Sequence, residues 1–133
     1  MPPIVRRIAL TACALFFVGA GVFHFLRPEP YVKIVPPFVP WPQAMVYISG
    51  AAEIVGGIGL MLPLLRRAAA WGLIALLIAV FPANVYMALD HVQVTANPLP
   101  VWLLWARLPL QFVLIWWVAQ TLVCDSQAEA CAT

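Results

Sequence analysis

Glu53 and Arg107 have the clearest capacity for chemistry in this chain, because each is a full charge set inside a long run of apolar residues. His24, Asn84 and Gln111 stand in similar surroundings and add hydrogen-bonding capacity. A carboxylate and a guanidinium held out of water can neutralise each other, pass a proton through the carboxylate, or bind a polar head group. An imidazole and two amides nearby would supply further donors and acceptors to the same ligand. Whether the five converge depends on the elements that carry them.

Those elements are set by the hydrophobicity of the chain. Of its 133 residues 65% are hydrophobic and 9% charged, with a mean hydropathy of +0.98. Soluble domains run at roughly 45–50% apolar and about 25% charged. This composition excludes an ordinary soluble globule, a disordered chain and a disulfide-stapled secreted domain. A scattered net charge of +2 gives no footing for nucleic acid. A helix needs roughly 20 apolar residues to cross the hydrocarbon of a lipid bilayer. Four stretches meet that need, 8–26, 44–65, 68–89 and 101–123. No period of two is present, so a β-barrel does not fit. The expectation is one all-α integral membrane domain over 1–133, a four-helix transmembrane bundle. The first stretch is longer than a signal-peptide core and lacks a clean cleavage site, so it reads as a retained helix.

Charge in the short loops suggests the orientation. Arg6, Arg7, Arg66 and Arg67 fall on one side, against Arg27 and Lys33 on the other, which places both termini in the cytoplasm. Arg66 and Arg67 join the second and third spans as a tight hairpin. The segment between the first and second spans, RPEPYVKIVPPFVPWPQ, is dense in proline and cannot be regular helix. Its Tyr31, Ile34, Phe38 and Trp41 suit a membrane interface. It reads either as a stiff interfacial connector or as a rigid lid over the outer mouth of the bundle.

Depth then sorts the polar residues. At 1.5 Å rise per residue, Glu53 is roughly 13 Å from the outer end of its span, Arg107 roughly 9 Å and Asn84 roughly 8 Å. Gln111 is one turn below Arg107 on the same face, and His24 closes the first span near its outer end. An ionisable side chain in hydrocarbon costs about 2.5–3.5 kcal/mol at mid-helix, so each is a functional candidate by default. Ser49, Gly50, Gly56 and Gly57 share the Glu53 face, and small residues let helices approach closely. Glu53 is therefore expected to point into the bundle. Pro82 and Pro109 free backbone carbonyls near Asn84 and Arg107, which an amide or water must satisfy.

Arg107 is the expected partner of Glu53. Three readings of the pair stay open: a structural ion pair between the second and fourth spans, an Arg107 that snorkels to the interface, or a ligand- or proton-handling site. Other chemistry finds little footing. His24 and His91 are single histidines at a helix end and in a loop, and Cys13, Cys124 and Cys131 form no C-x-x-C. There is no flavin, haem or metal motif, and no residue can be named as catalytic.

Four segments, GAGVFHFLRPEPYVKIVPPFVP, YISGAAEIVGGIGLMLPLLRRAAAWGL, FPANVYMAL and RLPLQFVLIWW, in this order and spacing, resemble the DoxX family of small four-helix membrane proteins. The likeness is to the DoxX-like branch without an assigned reaction rather than to the thiosulfate-oxidising subunit. It implies a four-helix bundle associated with membrane redox systems, in a bacterial inner membrane. It picks out His24, Pro28, Tyr31, Pro36, Glu53, Pro82, Asn84, Arg107 and Gln111, and Tyr31 thereby joins the candidate ligand-binding set.

The leading expectation is an accessory component of a membrane redox system that binds a quinone or similar lipid-soluble molecule. Electrons would have to come from a redox partner protein, because the chain carries no group that stores them. A non-catalytic membrane scaffold and a small proton-coupled exporter are the alternatives. Small-residue faces such as Ala52 and Gly56 would suit packing within one chain or in a homo-oligomer.

Overall fold

The computed structural model describes residues 2–93 and 97–132, with the side chains of 124 and 127–132 excepted. It is 82% helix and, among the described residues, has no strand. The helices are α1 (Pro3–Leu26), α2 (Pro28–Lys33), α3 (Pro42–Met61), α4 (Arg66–Leu89) and α5 (Val101–Ala132). Four of them, α1, α3, α4 and the 101–123 part of α5, are long and apolar enough to cross a membrane. That is the expected four-helix bundle.

Proline sets several helix ends. Pro3, Pro28 and Pro42 each open a helix, where the missing N–H would have had no partner anyway. The second span ends at Met61 rather than 65, because Pro63 lacks a donor and holds Leu62 in an extended conformation, φ −91° and ψ 112°. The turn is thus made by residues 62–65, with the Leu65 amide bonded to the Leu62 carbonyl at 3.0 Å. Arg66 and Arg67 open α4 instead of forming the hairpin connection. At the other termini α1 starts at Pro3 and α5 continues past 123 to Ala132, both beyond the expected limits. Pro82 and Pro109 lie inside continuous helices.

Around the bundle the order is α1, α3, α4, α5, with broad contacts between successive helices and only a thin seam between α5 and α1. Helices α3 and α5 do not pack on each other, so they stand on a diagonal. The centre is filled by Cys13 and Phe17 of α1, Leu60 of α3, Leu73 and Leu77 of α4, and Val118 of α5. Outward-facing residues such as Ile8, Leu15, Ile48, Val55, Ile78 and Trp116 are exposed, as a lipid-facing surface requires.

Glycine makes the α1–α3 contact close. A Cβ added at Gly21 would lie 2.5 Å from the Gly50 carbonyl oxygen, and one at Gly50 would lie 2.6 Å from the His24 Cβ. The backbones touch there, which no larger residue permits.

The proline-rich segment is a lid. It contains the short helix α2, contrary to the expectation of no regular helix: Pro28 and Pro30 both fall in the first turn, where no intrahelical donor is needed. Ile34, its C-cap, is buried against Met87 of α4 and Leu104 of α5. The segment thereby crosses from α1 to the far side of the bundle. Phe38 and Trp41 are exposed, as interfacial anchors would be. Trp41 takes a positive φ of 49° as the chain reverses into α3.

The glycine contact yields a stability prediction. Gly50→Val forces α1 and α3 apart and should lower unfolding stability in detergent by about 1–3 kcal/mol. Gly19→Ala, where an added Cβ meets nothing within 4 Å, should be neutral or slightly stabilising. Similar losses for both would contradict the close contact.

Candidate functional site

The two α1 residues that follow from the glycine contact are Gly21 and, one turn later, His24. On α3 the corresponding pair is Gly50 and Glu53. Because the two helices run antiparallel, Gly50 lies against His24 and Gly21 lies level with the turn that holds Glu53 and Ile54, so the imidazole and the carboxylate meet diagonally across the glycine contact. His24 Nδ1 and Glu53 Oε2 are 3.5 Å apart, with side-chain exposures of 9% and 13%. That is an ion pair when the imidazole is protonated, but the approach does not form a hydrogen bond. Neither atom has a hydrogen-bond partner among the described residues. Buried polar atoms in native structures are nearly always bonded to something, so this pair marks polar capacity that the described residues leave unused.

Tyr31 closes the pair from above. Its ring meets that of His24 edge-on, with centroids 3.9 Å apart. Burial pushes its hydroxyl above the usual tyrosine range, the charge of Glu53 raises it further, and the charge of Arg107 pulls it partly back. Both charges thus act on the Tyr31 hydroxyl. A stacked pair, Phe25 on Tyr47 with centroids 5.3 Å apart, walls the α1–α3 side.

Arg107 does not pair with Glu53. Its Nη1 donates instead to the Met87 sulfur at 3.2 Å, beneath Ile34 of the lid. The expected ion pair fails because α3 and α5 are diagonal, and equal depth does not make diagonal helices neighbours. Snorkelling is not needed, since Arg107 is part-buried and has a partner on α4.

Asn84 and Gln111 form a separate cluster. The Asn84 amide donates to Gln111 Oε1, and the Gln111 amide donates to the Leu77 carbonyl. The carbonyl that Pro82 leaves without its helical donor is that of Ile78, so the Gln111 amide adds a bond one position before it rather than serving the freed carbonyl that the sequence pointed to. Gln111 is 2% exposed and is consumed by these bonds, which makes this pair a structural tie between α4 and α5.

The site so described draws on four of the bundle's elements: His24 from α1, Tyr31 from α2, Glu53 from α3 and Arg107 from α5. Among the described residues no three His, Cys, Asp or Glu side chains come together, so His24 and Glu53 offer only two donors to a metal. Sequence reasoning missed Met87 and Asp125, and it set Ile34 at the interface where the structure buries it. Asp125 accepts from Arg6 at 2.7 Å and from Arg66 at 2.9 Å, pinning α1, α4 and α5 at the opposite end of the bundle. Its signal was present as an acid just past the last span, at the same end as the arginines.

Residues 3–122 match the family model described as Domain of unknown function (DUF8561). No curated protein and no solved structure matches the chain.

A double-mutant cycle separates the two pairings. Glu53→Gln and His24→Asn should couple by about 0.5–3 kcal/mol when unfolding is followed in mixed micelles. Glu53→Gln and Arg107→Met should be additive to within about 0.5 kcal/mol. The reverse pattern would restore the diagonal pair.

Proposed function

The chain belongs to the DUF8561 family, a description that carries no activity, and from the geometry of its lid end we propose that it binds a small lipid-soluble molecule with a hydrogen-bonding head group between His24 and Glu53. A quinone has that chemistry: carbonyl or hydroxyl oxygens for the head, and an apolar tail that suits the bundle surface. The observation that carries the reading is the pair of buried, unbonded atoms, Nδ1 of His24 and Oε2 of Glu53. A ligand oxygen between them would accept from the imidazole or donate to the carboxylate. Proton gain and loss at the ligand would then run through Glu53.

In this reading Tyr31 roofs the ligand head, and Arg107 tunes the local field from α5 without touching the carboxylate. Asn84 and Gln111 hold α4 and α5 together rather than meet the ligand. The DoxX resemblance belongs to the same proposal, with the chain as an accessory component of a redox system in a bacterial inner membrane. Electrons would be supplied by a partner protein, because the chain itself carries no redox group. The arginine-rich end, with both termini, would face the cytoplasm.

A membrane scaffold is the second reading, favoured by the closed Asn84–Gln111–Leu77 chain of bonds, which is structural in character. Ligand-dependent stability distinguishes the two, because a ligand that binds only the folded state raises its melting temperature. The proposal predicts that a short-chain ubiquinone or menaquinone analogue raises the melting temperature of the purified protein. Removing a hydrogen bond to a charged group is worth about 1.5–3 kcal/mol, so Glu53→Gln should weaken binding roughly 10- to 100-fold. Arg107→Ala should weaken it less. Quinone binding unchanged in both Glu53→Gln and His24→Asn would overturn the site, and no shift in the wild type would leave the scaffold.

A further inference from the structure

The far end of the bundle carries a second feature, independent of the His24–Glu53 pair under the lid. Where the α1–α5 seam is thin, a cavity of about 190 Å³ opens between the two helices. Its walls are Ala9 and Leu10 of α1 and Trp116, Trp117, Gln120 and Thr121 of α5, and they are almost wholly apolar. A second cavity of about 310 Å³, lined by Pro3, Arg6, Arg7, Leu10 and Arg66, shares Arg6, Leu10 and Arg66 with the first. The two form one groove with an apolar trough and a cationic mouth.

Among the described residues, Asp125 does not neutralise the mouth by itself. Arg6 and Arg66 share a single oxygen of Asp125, and Arg7 has no part in that bridge. Among the described side chains, three guanidinium groups against one carboxylate leave a surplus of two positive charges. Arg66 is held rigidly, since its Nε also donates to the Leu60 carbonyl at 2.8 Å. The helices α1 and α4 both begin here, so the positive ends of their dipoles point the same way as the arginines.

We propose that this groove binds one anionic diacyl phospholipid, its phosphate at Arg6, Arg7 and Arg66 and one acyl chain in the α1–α5 trough. Charge complementarity names the head group, and the apolar trough opening onto the lipid-facing surface names the chain. A zwitterionic lipid fits the trough equally but brings no net charge to the surplus. A free phosphate satisfies the mouth but leaves the trough empty. Basic pockets between membrane helices recognise anionic head groups by this electrostatic means. The bound lipid would also fill the one poorly packed seam of the bundle, completing a contact that α1 and α5 do not make themselves.

Native mass spectrometry of the detergent-purified protein tests the assignment, with phosphatidylglycerol, phosphatidylcholine and glycerol phosphate as probes. Phosphatidylglycerol should be retained at least fivefold better than phosphatidylcholine, and glycerol phosphate should not be retained. Arg7→Gln leaves the Asp125 bridge intact and should weaken phosphatidylglycerol binding roughly fivefold, the effect of one arginine near an anionic surface. Ala9→Phe fills the trough and should weaken both lipids alike. Equal retention of the two lipids by the wild type would overturn the proposal. So would glycerol phosphate binding as well as the lipid, or undiminished lipid binding in both variants.

Discussion

The backbones of α1 and α3 meet at Gly21 and Gly50, and that contact decides what the lid end of the bundle can do. Helices that approach so closely gain packing contacts that lipid cannot supply, which is the main driving force between membrane helices. The same approach fixes the side chains on either side of it, because Gly50 lies against His24 and Gly21 lies level with the turn that holds Glu53. His24 and Glu53 are consequently pressed to 3.5 Å in a setting with little water. Neither side chain is placed by attraction alone, since burying a charge pair is close to neutral after desolvation. The glycines supply the packing that holds the pair in place.

The lid completes that arrangement from the other direction. Ile34 is anchored in apolar contacts with Met87 and Leu104, which fixes a short helix that has little stability of its own. With its end fixed, Tyr31 is held over His24, and its hydroxyl comes under the influence of both Glu53 and Arg107. Arg107 is meanwhile drawn to the Met87 sulfur, under the same anchor. One buried isoleucine thus links the segment over the His24–Glu53 pair to both α4 and α5. At the opposite end Asp125 does comparable work between Arg6 and Arg66, so the bundle is tied at each end by a different kind of contact.

Much of this was legible in the sequence. Hydropathy alone marks the four spans, because a bilayer imposes a length and an apolar surface that few other settings do. The inward face of Glu53 followed from Ser49, Gly50, Gly56 and Gly57 around it. What could not be read was the identity of neighbours. Depth along a helix is a one-dimensional coordinate, and it cannot say whether α3 stands beside α1 or across from α5. Glu53 was accordingly matched with Arg107, the opposite charge at similar depth, when the adjacent helix offered His24. Proline misled in a similar way at α2, since Pro28 and Pro30 forbid a helix interior but not a first turn. The Leu62 break, by contrast, follows directly from Pro63, and reading the proline literally would have ended the second span at Met61.

The central claim is that the Gly21–Gly50 contact delivers the His24 imidazole to the Glu53 carboxylate. The most direct measurement is the ¹⁵N chemical shift of the His24 ring in lipid bilayers, with His91 in the loop as internal reference. Glu53→Gln should move the His24 resonances, and Gly50→Val, which leaves both side chains intact, should move them in the same sense. His91 should be unmoved by either change. A His24 spectrum indifferent to the carboxylate, or one altered by Glu53→Gln but untouched by Gly50→Val, would contradict the account.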